Sequence, residues 1–409
     1  MNSAFAAGVL IGVSAFGSGM LYLPAGFNAM GYVGACLVMV LLATLTWLSL
    51  WALNLVDDKA RKIRNRKYDY SYFAESIGTK FSCLVSIIFI IANFLTCYCF
   101  FARMSELSLT VLNVFWKYES STSQISLYLR LLFITLYPIL SYTFLIQKDL
   151  SVLQPIAYMS LGTTLFYSFL MIGCGIVSKN SLSDLKPFNN KGVLSAIVRM
   201  IFAAHCQFAF FDSKNTLRSK TFSNSLLMIT IGVAVIYGCY LTIGFFGYKY
   251  LGSAIKDSFI LTILKEEGFD NNLLSKNNYL LPSELFKYAT ILMTACFIII
   301  FFTGATITIY TFIPEIEKIL SICGIYSSKN ILCFLIIFLL WLCNLKKDVN
   351  IDLVLTLSAA IGTNSLSFAI PGIYIISSTK NNKSKFIGYS LVIASIVIVG
   401  LMAAESFYK

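Results

Sequence analysis

Gly17-Ser18-Gly19, followed by Pro24, lies in the middle of an apolar stretch. Glycine pairs tolerate backbone angles that other residues avoid. Proline removes a donor and frees a carbonyl one turn earlier. In lipid, freed backbone groups persist only where they line a cavity or are buried in protein. A break of this kind supplies binding chemistry: the positive end of one half-helix faces an anionic group, and bare carbonyls hold a cation. The same residues also suit close helix packing through small side chains. Both readings fit the residues.

The second candidate is His205, the only histidine in the chain, set in Arg199-Met200-Ile201-Phe202-Ala203-Ala204-His205-Cys206-Gln207-Phe208. An ionisable group at membrane depth is a functional candidate. Its roles would be proton relay or substrate contact; a packed neutral ring with one hydrogen bond is the alternative. Arg199, two turns away, fits an outer-gate charge or a side chain reaching the interface. Arg103 and Glu106 have the spacing of a helical ion pair. Pro314, Glu315 and Glu317 fall where another apolar run ends. Eleven cysteines lie mostly in apolar runs, without metal-site spacing, and are expected to be small buried hydrophobes. No metal, cofactor or nucleic acid is expected. The absence of paired carboxylates or a Ser/His arrangement within the apolar runs argues against an enzyme.

These residues need membrane helices to position them. The 409 residues are 58% hydrophobic and 12% charged, and a soluble domain carries roughly twice that charge. Mean hydropathy is +0.78. About eleven apolar runs occur: 4–27, 33–55, 81–112, 127–145, 151–177, 193–211, 225–248, 285–312, 331–345, 353–376 and 386–404. Most have the roughly 20 residues that span a bilayer; the ninth is short. The first lacks a charged leader or cleavage site and is expected to be retained. Long runs exclude a barrel of alternating strands, so the fold class is an all-α membrane protein. With a net charge of +12, the basic residues concentrate between runs, above all at 57–67. The positive-inside rule puts that loop and the N-terminus in the cytoplasm, with Lys409 on the opposite side. Lys214, Arg218 and Lys220, and then Lys380, Lys383 and Lys385, fall on the same inner side. The longest connection, 249–284, lies outside and carries the apolar segment 258–264, suited to a helix over the outer mouth. No P-loop and no regular arginine series occurs, which argues against an ATP-driven pump or a voltage sensor.

Gly17-Ser18-Gly19-Met20-Leu21-Tyr22-Leu23-Pro24-Ala25-Gly26-Phe27, with Gly31, resembles the first-helix signature of the amino acid/auxin permease family. Tyr70-Ser71-Tyr72-Phe73-Ala74-Glu75-Ser76-Ile77-Gly78 is similar to its second-to-third-helix loop. Phe202-Ala203-Ala204-His205-Cys206 looks like its sixth-helix core. Gly247 through Gly252 with Ile260-Leu261, Phe312-Ile313-Pro314 and Phe368-Ala369-Ile370-Pro371 continue the series in order. The resemblance implies a leucine-transporter-like fold with discontinuous helices 1 and 6. It would hold inverted repeats of five helices (about 4–177 and 193–376) plus an extra helix (386–404). It also implies amino acid transport by alternating access. The substrate carboxylate would meet backbone amides near Gly17, Ser18 and Gly19. Its amino group would meet carbonyls near Phe16, Phe202, Ala203 and Ala204.

Two features depart from the family. The tail before the first helix is nearly absent, and Val13, followed by Ser14, stands where the sodium-coupled branch has an asparagine. Valine offers a hard cation no side-chain oxygen, so proton coupling is favoured over sodium. Thr303, Thr306 and Thr308 remain candidate cation ligands. A same-fold permease for another small solute, or an amino acid sensor that does not transport, stays open. So do the oligomeric state and the choice between the plasma membrane and a vacuolar or lysosomal membrane.

Overall fold

The structure, a computed structural model, describes residues 3–63, 70, 72–116, 124–146, 153–178, 180–190, 192–255, 259–260, 283–346, 354–355 and 357–408. Residues 64–67 of the basic stretch, most of 249–284, Ser71 and Lys409 lie outside the described residues. Among the described residues the regular elements are helical. In order they are α1 (Ala4–Ala15), α2 (Leu23–Met30), α3 (Tyr32–Ile63), α4 (Tyr72–Ile77), α5 (Thr79–Trp116), α6 (Gln124–Leu145) and α7 (Leu153–Val177). Then come α8 (Val193–Ala203), α9 (Phe210–Thr216), α10 (Phe222–Leu251), α11 (Ser283–Ile322), α12 (Lys329–Leu345), α13 (Ile370–Ser378) and α14 (Asn382–Tyr408).

Eight helices among the described residues are long and apolar enough to cross a membrane. Their outer faces suit lipid: Leu84, Ile87 and Ile91 on α5, and Ile393, Ile396 and Val397 on α14, are exposed. The first run is two helices meeting at a 66° bend. α12 has 17 residues, about 25 Å at helical rise, short of a full bilayer core. The tenth run is irregular: Ser358–Thr363 and Ser365–Ala369 are wound as π-helix before α13 begins. π turns are rare and collect at functional sites.

Lipid offers little hydrophobic drive between helices, so close packing and hydrogen bonds hold them. α1 lies on α10 through glycines: a Cβ on Gly8 would stand 2.7 Å from the Met228 carbonyl oxygen. α5 and α11 are joined by the stacked rings of Phe100 and Phe301, 5.8 Å apart. α11 carries Pro314 inside it and continues to Ile322. Polar contacts with α4 and the start of α5 hold the added turns. Ser86 donates to Glu315 at 2.6 Å, and Lys318 bonds Ser82 at 2.8 Å and Glu75 at 2.7 Å.

Lys214 of α9 pairs with Asp57 of α3 at 2.6 Å and bonds Asn54 at 2.6 Å. Both charged side chains are fully buried. Removing one partner of such a pair leaves a charge uncompensated, at a cost of about 3–5 kcal/mol, whereas an apolar replacement of both is far milder. Lys214→Met is therefore expected to lower the thermal unfolding midpoint in detergent markedly, and Lys214→Met with Asp57→Leu to recover most of the loss. A double variant no better than the single would show that the pair does not act as a unit.

Candidate functional site

Ser3 caps α1, its hydroxyl accepting from the Ala6 N–H at 3.2 Å. The helix closes with a tight turn, Phe16 N–H to the Val13 carbonyl at 3.0 Å. Gly17 is then extended, with φ −169°, a conformation open to any residue. Its glycine is required for space instead: a Cβ there would lie 2.5 Å from the Phe100 ring. Ser18–Tyr22 forms a 3₁₀ turn. Pro24 occupies the first turn of α2, where an N–H would lack a helical partner anyway. The carbonyl of Met20 one turn earlier accepts from Leu23. Pro24 therefore starts the second helix rather than breaking the first, contrary to its reading as the source of a bare carbonyl. α2 ends at Gly31, whose positive φ of 77° only glycine adopts easily. There the Met30 carbonyl accepts from Asn189 at 2.9 Å.

The second interruption has no glycine or proline to mark it. α8 stops at Ala203, the chain turns through Ala204, His205 and Cys206, and a 3₁₀ turn at Gln207–Ala209 leads into α9. The two breaks meet. A Cβ on Gly19 would sit 2.5 Å from the Ala203 Cα. Tyr240 of α10 spans both: its hydroxyl lies 2.7 Å from the Ala15 carbonyl and 2.5 Å from that of Ala203. A phenol has one proton, so it serves one of these two helix-ending carbonyls at a time. Phe16 packs against the same ring, 6.1 Å between centroids. Phe16, Gly17, Gly19, Phe202, Ala203 and Ala204 are all buried. The structure thus gathers the sequence-selected backbone around one point, with the helix-starting N–H groups of the 3₁₀ turn at Ser18 beside it.

His205 joins the site through the π-wound segment. Its Nδ1 is 2.9 Å from the Ser367 hydroxyl, which lies 3.0 Å from Gln207 Oε1. The segment is pinned from behind: Ser49 donates to the Ser367 carbonyl, Tyr70 to that of Leu366, and Tyr374 to that of Tyr70 at 2.6 Å. Toward α2, Tyr22 is enclosed by two arginines. Arg103 donates to its hydroxyl and pairs with Glu106 at 2.5 Å, and Arg199 lies 5.0 Å from the ring centroid. Arg199 therefore rests on an aromatic ring at the break, and the expected Arg103–Glu106 pair is present. Sequence spacing gave no sign of Ser367, Tyr240 or Phe100, because each acts across a long sequence separation.

Three hydroxyls near the weighed cation positions donate to carbonyls of their own helices, which leaves their lone pairs free. Ser14 donates to the Ile11 carbonyl, and Thr303 and Thr306 to Ile300 and Phe302, each at 2.8 Å. Thr308 is buried. Cys97, Cys99, Cys174, Cys206, Cys239, Cys296 and Cys333 are buried, while Cys323 and Cys343 are exposed.

The model of the family described as transmembrane amino acid transporter protein matches residues 1–408. The chain belongs to that family. It is thus a multi-pass membrane transporter of an amino acid transporter family, not an enzyme. No curated protein sequence matches it. Solved structures do, 148 chains among them. One is MhsT in complex with L-phenylalanine, a leucine-transporter-fold protein. It is 12% identical, with a TM-score of 0.60, over 98% of this chain and 97% of that one. At that identity the likeness concerns the fold.

The glycine positions separate by what blocks them. Gly19→Ala would press on backbone, which cannot yield, and is expected to abolish amino acid uptake in reconstituted vesicles with insertion intact. Gly17→Ala would press on a side chain, so Phe100→Leu is expected to restore part of its lost uptake. Undiminished uptake in Gly19→Ala, or in Gly17→Val, would refute the close approach.

Proposed function

We propose that this chain is a secondary transporter moving amino acids by alternating access, with its binding site at the two helix breaks. The observation that carries this reading is the shared Tyr240 hydroxyl, within hydrogen-bond distance of the carbonyls that end α1 and α8. An ammonium has three donors and suits a cluster of carbonyls that one phenol proton cannot satisfy. The carbonyls around Phe16 and Phe202 to Ala204 would hold it. A carboxylate suits the N–H groups at the start of the following turn, near Gly17, Ser18 and Gly19. MhsT, the fold relative, binds L-phenylalanine, which supports an amino acid as the ligand.

In this reading the chain has eleven spans, with the first and sixth interrupted. Residues 4–177 and 193–376 are inverted repeats, and 386–404 is an added helix. The N-terminus is cytoplasmic, in a plasma or a vacuolar or lysosomal membrane. Transport proceeds by rocking of helix groups about the site. The aromatic and arginine enclosure of Tyr22 is its outer closure.

Coupling is to protons rather than sodium. Val13 contributes no side-chain oxygen to a hard cation. His205 is the titratable group at the break and the candidate relay.

Uptake of a labelled amino acid panel into proteoliposomes, at two external pH values with and without sodium, tests these points. Uptake is expected to persist without sodium and to rise when the outside is acidified. His205→Ala is expected to remove the pH response. A strict sodium requirement would overturn the coupling assignment, an unchanged pH response in His205→Ala would overturn the relay, and binding without counterflow would overturn transport.

A further inference from the structure

Proton counting assigns the hydrogen bonds of the second break. The Cys206 N–H lies 3.1 Å from Gln207 Oε1. A backbone N–H only donates, so the Gln207 atom there is its carbonyl oxygen. The Ser367 hydroxyl donates to the same oxygen at 3.0 Å. That uses the single proton of Ser367, which must therefore accept from His205 Nδ1 at 2.9 Å. His205 thus carries a proton on Nδ1, and whenever the ring is neutral its Nε2 is a lone-pair acceptor.

Two groups are left over, the Nε2 of His205 and the Nε2 amide of Gln207. Both atoms are buried and lack a hydrogen-bond partner among the described residues. His205 is 8% exposed and Gln207 fully buried. One is an acceptor and the other a donor, and a single serine hydroxyl ties their side chains together. Buried polar groups left unpaired are rare, because each loses the water it had. An aliphatic group pairs with neither. A carboxylate could accept from Gln207 but has nothing to donate to His205, and an ammonium has the opposite defect. A hydroxyl must meet both from one atom. A carboxamide has a separate N–H and C=O on one small plane, one for each.

We infer that His205 and Gln207 form the side-chain subsite of the transporter and select amino acids ending in a carboxamide, with glutamine as the test ligand. The inference rests on the transport reading of the adjacent breaks, because it places the side chain next to the backbone groups at Ala203 and Ala204. Ser367 is the positioning residue, holding both side chains through one hydroxyl. The π winding sets the register that brings it there.

Ligand binding to the purified full-length chain, read as a thermal shift, separates this subsite from transport itself. Glutamine is compared with norleucine, an aliphatic amino acid of similar length. Glutamine is expected to bind on the order of tenfold or more tightly, as sites built around hydrogen bonds reject analogues that lack them. Gln207→Leu and His205→Phe are each expected to erase that preference while norleucine still binds, which shows the variants are folded. Equal binding of the two ligands by the unaltered chain would overturn the subsite, as would binding of neither. A glutamine preference unchanged in both variants would also overturn it. Uptake of glutamine into proteoliposomes tests the transport reading separately: preferred binding without uptake leaves the subsite standing and removes the transport.

Discussion

A backbone hydrogen bond left open inside a bilayer has no water to close it, and the architecture follows from that constraint. Two helices that stop inside the bundle beside each other each leave terminal carbonyls. The chain answers by setting the stops against each other and against Tyr240, whose hydroxyl reaches both Ala15 and Ala203. One phenol proton serves only one of these two carbonyls at a time. In the transport reading proposed above, a ligand carrying several donors completes the arrangement.

The rest of the molecule keeps these stops close. Gly19 admits the Ala203 backbone, Gly17 admits the Phe100 ring, and Phe100 is itself stacked on Phe301. Behind the second stop, Ser49, Tyr70 and Tyr374 hold a π-wound segment so that Ser367 faces His205 and Gln207. Farther out, charged side chains pair across helices. Lys214 with Asp57, and Lys318 with Glu75, tie neighbouring helices at a distance from the breaks. Tyr22 sits between Arg103 and Arg199 at the other side of the site. Membrane helices gain little from apolar contact with one another, so these few polar links and close glycine contacts carry an unusual share of the specificity.

Local chemistry explains the agreements between sequence and structure, and long-range packing explains the differences. The apolar runs were visible because lipid demands length and hydrophobicity of every span, whatever lies next to it. The first interruption was visible because glycines and a proline cluster there, although the reasons differ from those first assigned. Gly17 is kept for space rather than for torsion, and Pro24 begins a helix rather than opening one. The second interruption carries no breaker residue at all. Pro314 shows the converse, a proline that its helix absorbs because Glu315 and Lys318 are anchored on α5.

The sequence by itself determined that the chain is a helical membrane protein, where its apolar segments run, and that backbone near Gly17 and the lone His205 deserve scrutiny. These follow from properties each segment has alone: hydropathy, glycine content, a titratable group in an apolar setting. Only the tertiary structure decided that the two stops touch, that Tyr240 is shared between them, and that His205 is tied to Ser367 and Gln207. Those contacts join residues 37 to 225 positions apart. Spacing along one helix cannot encode them, because they depend on how separate helices cross and on a π winding that turns one serine inward.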